Sequence, residues 1–180
     1  ENDDPTYQGP IFADAAPPQT PPLPSANPDR DAPEILLLCG GGKDSLVSMR
    51  LLQQAELPFD TLAYAASIYG PAAPQHALID GLLDRAPPRR RLRQYFYDDL
   101  LDSPVLRLHP ELGVRTLTAA ETPSSVFAAL PQILADGHRA LGLGHERSAD
   151  TGQVLWERTG EDINHQWGKS AAAEALLNRY

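Results

Sequence analysis

The stretch ILLLCGGGKDSLVSMRLLQQ, residues 35–54, decides the fold of this chain. It opens with a continuous apolar run that stops at Gly40–Gly42, which is typical of a short strand buried on both faces. From Asp44 to about Gln54 the apolar side chains recur with helical spacing. Glycines allow a sharp turn and close backbone approach to a ligand, and the N-terminus of a following helix favours negative charge. The stretch therefore predicts a strand, a phosphate-binding loop and a helix.

Outside this stretch, apolar strands and helices continue to alternate. The remaining predicted elements are strands at Thr61–Tyr69, Leu92–Phe96, Arg139–Gly144 and Gln153–Glu157, and helices at Gln75–Arg85, from an N-cap at Thr122 through Pro123 to Asp136, and at Ser170–Tyr180. Such alternation predicts an α/β, Rossmann-like fold, a mostly parallel sheet with helices on both faces. Ligands of these sheets bind outside the carboxyl ends of the strands, so the candidate site loops are 40–45, 67–75, 97–99, 144–152 and 160–170.

Residues 1–33 differ in composition from the rest of the chain. They contain nine of the 18 prolines, and paired prolines can neither donate to a sheet nor continue a helix. We therefore expect a Pro-rich extended arm or linker over residues 1–33 and a globular domain over residues 34–180.

The chain is acidic, with 15 Lys and Arg against 24 Asp and Glu and a net charge of −9. Because an acidic chain repels a phosphate backbone, we expect no nucleic-acid partner. The basic cluster of Arg89, Arg90, Arg91 and Arg93 fits either a solvated strand end or a local anion site. No apolar run is long enough to predict a transmembrane helix, so no membrane partner is expected. The single cysteine, Cys39, is typical of a cytoplasmic, reducing compartment.

Two widespread phosphate loops fit the glycine segment poorly. In a Walker A loop the first glycine position would be Leu37, and Asp44 would replace the Ser or Thr. The dinucleotide-binding pattern meets Ser45 at its third glycine, although Asp60 stands about where the ribose-binding acid is expected. A glycine turn without a ligand is the structural alternative.

The segment Gly40–Ser45, GGGKDS, resembles the Ser-Gly-Gly-any-Asp-Ser signature of the PP-loop ATP pyrophosphatases, with Gly40 in place of the leading serine. The resemblance implies an adenine nucleotide alpha hydrolase-like catalytic domain over residues 34–180 that binds ATP and cleaves it between the α and β phosphates. It implies phosphate contacts from Gly40, Gly41, Gly42, Lys43 and Ser45. Asp44 would act through Mg²⁺, because a carboxylate meets phosphate favourably only through a cation.

Two polar clusters follow predicted strands, GHERSAD at 144–150 and GEDINHQWGKS at 160–170. Within them, ERSA and NHQWGKS are similar to segments of the UDP-N-acetylmuramoyl-L-alanyl-L-glutamate epimerases, a group of the PP-loop class. The resemblance runs from about Glu34 to Tyr180 and implies the C-terminal catalytic part of a longer protein whose N-terminal domain is missing here. AETP at 120–123 departs from the Gly-His pair usual in that group, which leaves the exact substrate open.

The resemblance implies that ATP and Mg²⁺ are used to invert the terminal L-Glu of UDP-N-acetylmuramoyl-L-Ala-L-Glu to D-Glu, with release of AMP and pyrophosphate, in peptidoglycan precursor synthesis. Adenylation removes one of the two negative charges that the enolate would otherwise carry, so that an ordinary base can remove the α-proton. The predicted site residues are His145, His165 and Lys169 as bases, Arg147 and Ser148 for nucleotide, and Asp44 and Glu146 for Mg²⁺. Arg147 and Lys169 also fit pairing with a substrate carboxylate. Cys39 is a weaker candidate base, because it ends a buried strand.

Two other functions fit the same residues. One is a different PP-loop ligase or amidotransferase that adenylates another carboxylic acid, which predicts AMP release only with ammonia, an amine or a sulfur donor. The other is a non-catalytic ATP-binding module, which predicts nucleotide binding without turnover.

Overall fold

The computed structural model describes residues 33–97, 104–108, 111, 121–152, 154–164 and 166–179 of the chain. In chain order its elements are β1 (Ile35–Cys39), α1 (Lys43–Gln54), β2 (Phe59–Ala66), α2 (Ala72–Leu83), β3 (Arg91–Phe96), α3 (Pro104–Leu108), α4 (Glu121–Asp136), β4 (Ala140–Gly142), β5 (Val154–Trp156), β6 (Glu161–Ile163) and α5 (Ala171–Leu177). Short 3-10 turns occupy Ser67–Tyr69, Arg147–Asp150 and Trp167–Lys169.

Four parallel strands form the central sheet in the order β3-β2-β1-β4. Cys39 of β1 pairs in register with Ala63 of β2, and Leu37 pairs with Gly142 of β4. The strand order reverses at β1, because β2 and β3 extend to one side and β4 to the other. The crevice between the carboxyl ends of β1 and β4 is therefore where open α/β sheets bind ligands. This sheet confirms the predicted α/β, Rossmann-like fold.

Alternate residues of β1 point to opposite faces of the sheet and enter two separate apolar cores. The core on the α1 and α2 side contains Leu37, Cys39, Met49, Phe59, Ala63, Ile79, Leu83 and Ala86. The core on the α4 side contains Leu36, Leu38, Leu62 and Ala129. Because both faces of β1 are covered by helices, its sequence is apolar without alternation. The predicted helices on both faces are confirmed.

A buried polar cluster lies near the amino ends of the strands, at the opposite end of the sheet from the glycine loop. The fully buried Asp60 carboxylate accepts hydrogen bonds from the Arg90 backbone N–H at 3.1 Å and from Arg90 Nε at 2.7 Å. It lies 3.0 Å from Nε2 of buried His138, and Arg90 Nη2 donates to Asp136 at 3.1 Å. Asp60 pairs in register with Leu36, near the beginning of β1. The alternative of a ribose-binding acid at Asp60 is therefore wrong, because its carboxylate is buried, paired and far along the strand from the loop.

The basic cluster before and within β3 is engaged by neighbouring acids. Arg91 Nη1 lies 2.7 Å from Asp84 Oδ1, and Arg93 Nη2 lies 2.7 Å from Asp80 Oδ2. Together with the contacts of Arg90, these ion pairs favour the solvated strand end over an anion site.

Several predicted boundaries shift by a few residues. β2 begins at Phe59, and the end of the predicted strand forms a 3-10 turn instead. The helix predicted to start after an N-cap at Thr122 begins one residue earlier, so Thr122 lies inside α4. Pro123 is accommodated in the first turn, where backbone N–H groups have no helical partner. Gly137 follows α4 with a φ of 76° and ends it as predicted.

The predicted fifth strand exists, but it pairs outside the main sheet. β5 pairs antiparallel with β6, Leu155 opposite Asp162, in a two-stranded hairpin. Gly160 has a φ of 71° and its N–H donates to the Trp156 carbonyl oxygen at 2.8 Å, which closes the turn. β6 thus occupies part of the segment 160–170 that was predicted to be a loop.

The Pro-rich arm predicted over residues 1–33 lies, apart from Pro33, outside the described residues, and the division into arm and domain stays a prediction. Within the described ranges, no helix is long and apolar enough to cross a membrane.

Candidate active site

The loop after β1 makes a sharp turn whose central position requires glycine. Gly41 has a φ of 84°, a left-handed conformation that residues with a side chain rarely adopt. A Cβ atom there would also lie 3.1 Å from Cγ1 of Ile79 on α2. Around Gly40 and Gly42, by contrast, a Cβ atom would meet open space. The turn therefore packs against α2 at one residue and leaves its neighbours accessible beyond the strand ends.

The first turn of α1 follows this loop without a side-chain cap. Gly42 is the N-cap residue and offers no side-chain acceptor to the N–H groups of the first turn. Those N–H groups lack partners within the helix, and the helix dipole makes this end positive. Asp44 lies in the first turn, where the dipole stabilises a carboxylate. An anionic ligand with several oxygen acceptors could accept hydrogen bonds from these N–H groups and offset the positive helix end.

The loop after β4 packs directly on the first turn of α1. A Cβ atom at Gly144 would lie 3.0 Å from the carbonyl carbon of Asp44 and 3.2 Å from the amide nitrogen of Ser45. Backbones this close together require glycine at the contact. The contact holds the start of the 144–150 segment against the glycine loop, in the crevice between β1 and β4.

Lys43 joins these two loops through ion pairs. Its Nζ lies 2.9 Å from Asp44 Oδ1 and 3.1 Å from Glu146 Oε2. Hydrogen bonds to Asp44 first, and then to Glu146, raise the pKa of Lys43 above its ordinary value. The structure therefore brings together the two predicted Mg²⁺ ligands, Asp44 and Glu146, on either side of one ammonium group. Their side chains are 40% and 41% exposed, so the cluster is open to a ligand.

Cys39 and Ser45 meet beneath the loop. Burial raises the pKa of the Cys39 thiol, and hydrogen bonds from the Gly41 backbone and from the Ser45 side chain offset part of that rise. A buried, protonated thiol is a poor base, which disfavours the catalytic alternative for Cys39. Ser45 is itself buried and contacts the sulfur in this conformation.

The two polar clusters predicted near the strand ends contact each other. Asn164 Nδ2 donates to the Ala149 carbonyl oxygen at 2.6 Å, and the Ala171 N–H donates to Asp150 Oδ1 at 2.7 Å. The Ser170 hydroxyl accepts from the first turn of α5 and caps that helix. These contacts fasten α5 to the turn that follows β4. Sequence reasoning missed these fastening roles, although the oxygen of a Ser immediately before an apolar helix is a recognisable capping signal.

His145 lies where the two clusters meet. Burial lowers the pKa of His145; the Glu174 carboxylate acts in the opposite direction, and the positive charge of Lys169 lowers the pKa further. The imidazole is therefore neutral at neutral pH, with an ammonium group in its surroundings. A neutral imidazole and an ammonium group are suited to act as one base and one acid. The third predicted base, His165, lies outside the described residues.

Arg147 and Ser148 are exposed in the 3-10 turn that follows Glu146. The Ser148 carbonyl oxygen accepts from the Thr151 hydroxyl at 3.1 Å, which closes that turn. Both residues directly follow Glu146, whose carboxylate pairs with Lys43. Their roles in nucleotide binding stay predictions.

A cleft of about 430 Å³ lies away from the glycine loop, at the other end of the strands. It is lined by Gln53, Glu56, Leu57, Pro58, Phe59, Pro87 and Arg89. Because Phe59 pairs with Ile35 at the beginning of β1, this cleft is near the amino ends of the strands. It contains none of the predicted site residues.

Comparisons with known proteins point to one group of enzymes. Residues 118–180 match the family model described as the MurL N-terminal domain. The UDP-N-acetyl-alpha-D-muramoyl-L-alanyl-L-glutamate epimerase of Salinispora tropica is 31% identical over 150 residues, which are 83% of this chain and 29% of that protein. The protein of the same name from Micromonospora sp. is 31% identical over 144 residues, 77% of this chain and 27% of that protein. The chain resembles part of these epimerases.

The chain spans less than a third of the length of the curated relatives it matches. The family match includes both polar clusters but not the glycine loop. It is a match to an N-terminal domain, which contradicts the expectation that residues 118–180 belong to the C-terminal catalytic part. The predicted resemblance to the epimerases is confirmed, and the PP-loop class stays a prediction.

Proposed function

We propose that this chain supplies the ATP-binding loop and part of the catalytic site of an epimerase. The enzyme would adenylate the terminal L-Glu carboxylate of UDP-N-acetylmuramoyl-L-Ala-L-Glu and invert that residue to D-Glu, releasing AMP and pyrophosphate in peptidoglycan precursor synthesis. The observation that carries the proposal is the meeting of the GGGKDS loop with Glu146 at the β1–β4 crevice. The names of the two relatives supply the substrate and the reaction type.

The N-terminus of α1 is suited to hold the polyphosphate of the substrate ATP. Its first-turn N–H groups have no side-chain cap, and the open space at Gly40 and Gly42 lets phosphate oxygens approach the backbone. Lys43 adds a positive charge at the same place. Arg147, exposed in the adjoining turn, is available as a second cation for phosphate or carboxylate oxygens.

Asp44 and Glu146 fit a Mg²⁺ ion shared with the phosphates. They already hold one cationic group between them, the Lys43 ammonium, at 2.9 and 3.1 Å. Mg²⁺ in nucleotide sites binds one or two carboxylates and takes its other oxygens from phosphates and water. Among the described residues no group of three or more His, Cys, Asp or Glu side chains could hold a metal ion, so phosphate and water oxygens would have to complete the coordination. When bound, the ion would offset the negative charge of the phosphates.

His145 and Lys169 are suited to move the α-proton of the activated glutamate. Neutral His145 can accept a proton, and an ammonium at Lys169 can deliver one, so together they provide the opposite roles that inversion requires. Glu174 lies close enough to influence His145 electrostatically. His165 is the alternative partner for either role.

The test is release of AMP and pyrophosphate from Mg-ATP by the full chain, with and without UDP-N-acetylmuramoyl-L-Ala-L-Glu, together with chiral analysis of the glutamate. We expect substrate-dependent AMP matched by D-Glu, and a loss of about 100-fold in Asp44→Asn because the cation would be misplaced. Asp84→Asn, which changes an exposed carboxylate paired with Arg91, is the matched control and should leave the rate unchanged.

Each other outcome selects a different function. AMP without inversion would favour an adenylating ligase that acts on another acid. Binding of ATP without turnover would favour a non-catalytic nucleotide-binding module. Pyrophosphate release that is unaffected in Asp44→Asn would contradict the role given to the glycine loop.

A further inference from the structure

We propose that Lys43 closes the divalent-cation site until nucleotide arrives. This inference rests on the proposed function, because it concerns the carboxylates assigned there to Mg²⁺. The Lys43 ammonium is held by one oxygen of Asp44 and one of Glu146, at 2.9 and 3.1 Å. Lys43 thus places a positive charge between the two carboxylates to which Mg²⁺ is assigned.

The ammonium and a divalent ion cannot occupy this position together. Asp44 and Glu146 would hold a divalent ion through their carboxylate oxygens, and Lys43 Nζ lies 2.9 and 3.1 Å from one oxygen of each. Two positive charges held by the same two carboxylates also repel each other strongly. A divalent ion can enter between Asp44 and Glu146 only when Lys43 moves away.

Lys43 is free to make that movement. It is the first residue of α1, and its side chain is 75% exposed. A lysine has a flexible four-carbon stem, so its ammonium can turn without disturbing the helix. The polyphosphate expected at the N-terminus of α1 offers the ammonium anionic oxygens within the same turn of the helix.

The charges of the cluster favour an exchange of partners over simple addition of metal. Lys43, Asp44 and Glu146 together carry one more negative charge than positive charge. Nucleotide adds further negative charge at the N-terminus of α1, which both the ammonium and a divalent ion can then offset. Nucleotide would therefore draw Lys43 to the phosphates and release the two carboxylates to the metal. Metal alone should bind weakly, and nucleotide should promote its binding.

The experiment is a titration of the nucleotide-free full chain with Mn²⁺, followed by the EPR signal of the free ion. Lys43→Met removes the ammonium and keeps an apolar stem of similar shape. We expect it to bind Mn²⁺ about tenfold more tightly than the wild type, because two exposed ion pairs no longer compete. Adding Asp44→Asn to Lys43→Met should remove the gain. Arg147→Gln removes the same charge from the residue next to Glu146, and we expect less than about a threefold effect.

Equal Mn²⁺ affinity in Lys43→Met and the wild type overturns the inference, as does an equal gain in Arg147→Gln, which would indicate general electrostatics. Circular dichroism establishes that the variants are folded. The pyrophosphate assay on the wild type separates the two proposals. Turnover in the wild type without a Mn²⁺ gain in Lys43→Met leaves the proposed function standing and removes the role of Lys43. Tighter Mn²⁺ binding in Lys43→Met without turnover in the wild type would keep the competition between Lys43 and the metal and remove the proposed function.

Discussion

The buried Asp60 cluster provides a quantitative test of how β2 and β3 are joined to the end of α4 and the start of β4. Asp60→Asn keeps the size of the side chain but removes the charge that faces Arg90 and His138. The Asp60 and His138 side chains are 0% exposed, and that of Arg90 is 36% exposed. Asparagine accepts through one oxygen only, and its NH₂ group would face the N–H donors. At least one donor would therefore lose its partner in the interior.

The loss of unfolding free energy depends on which partners Arg90 and His138 keep after the substitution. Removing one partner of a buried ion pair costs roughly 3–5 kcal/mol, because the other charge stays buried without compensation. Arg90 is partly exposed and keeps Asp136 at 3.1 Å, so the cost should fall at the lower end of that range. We expect Asp60→Asn to lower the free energy of unfolding by about 3 kcal/mol. For a chain of this length, that corresponds to a fall in Tm of roughly 6–12 °C.

Urea unfolding followed by circular dichroism measures this loss. Asp84→Asn makes the same chemical change in an exposed ion pair, since the Asp84 side chain is 68% exposed. We expect that control to cost less than about 1 kcal/mol. If Asp60→Asn costs no more than Asp84→Asn, the buried cluster does not hold these elements together, and the reasoning is refuted.

Three further predictions concern the candidate site. Gly144→Ala should force the loop after β4 off α1, because its Cβ would lie 3.0 Å from the Asp44 carbonyl carbon, and we expect about a tenfold loss of pyrophosphate release. Gly81→Ala on α2, where a Cβ atom meets open space outside the proposed site, should keep the activity, and equal losses would contradict the packing argument. Burial lowers the pKa of His145 below its ordinary 6.5 in the folded chain, so the unfolded chain binds more protons as pH falls through that value, and the contribution of His145 to stability is complete above about pH 6.5 and lost below it. His145→Gln should therefore weaken the fall in unfolding free energy between about pH 7 and pH 5, and an unchanged pH dependence would show that other groups cause it. Because burial raises the pKa of Cys39, a disulfide reagent at mildly alkaline pH should react with the thiol only after denaturation, and prompt reaction of the native chain would show that Cys39 is accessible.

The glycine loop could be predicted because its structure depends on adjacent residues. The apolar run of β1, the glycines and the helical spacing of α1 all lie within residues 35–54, and the observed elements begin and end within a residue or so of the predicted ones. The positive φ of Gly41 follows the same local logic. The end of α4 was likewise predicted from Gly137, because glycine tolerates the left-handed conformation that it adopts there.

The mistakes concern residues whose partners lie far along the chain. The spacing of Asp60 from the glycine loop is that of a ribose-binding acid. Its carboxylate instead pairs with His138, 78 residues later, near the amino ends of the strands. The segment at β5 has the pattern of a strand, but the pattern does not state which strand it pairs with. Its observed partner is β6, in a hairpin that was not predicted.

The sequence by itself determined the α/β class, the glycine loop between β1 and α1 and the resemblance to the epimerases, because these depend on apolar periodicity and short motifs. Only the tertiary structure decided that Glu146 pairs with Lys43, across 103 residues of chain. That meeting requires β4 to pair with β1, and the apolar pattern of a strand does not state which strand it pairs with. It also requires Gly144 to admit the first turn of α1, a contact between backbones that no local pattern specifies.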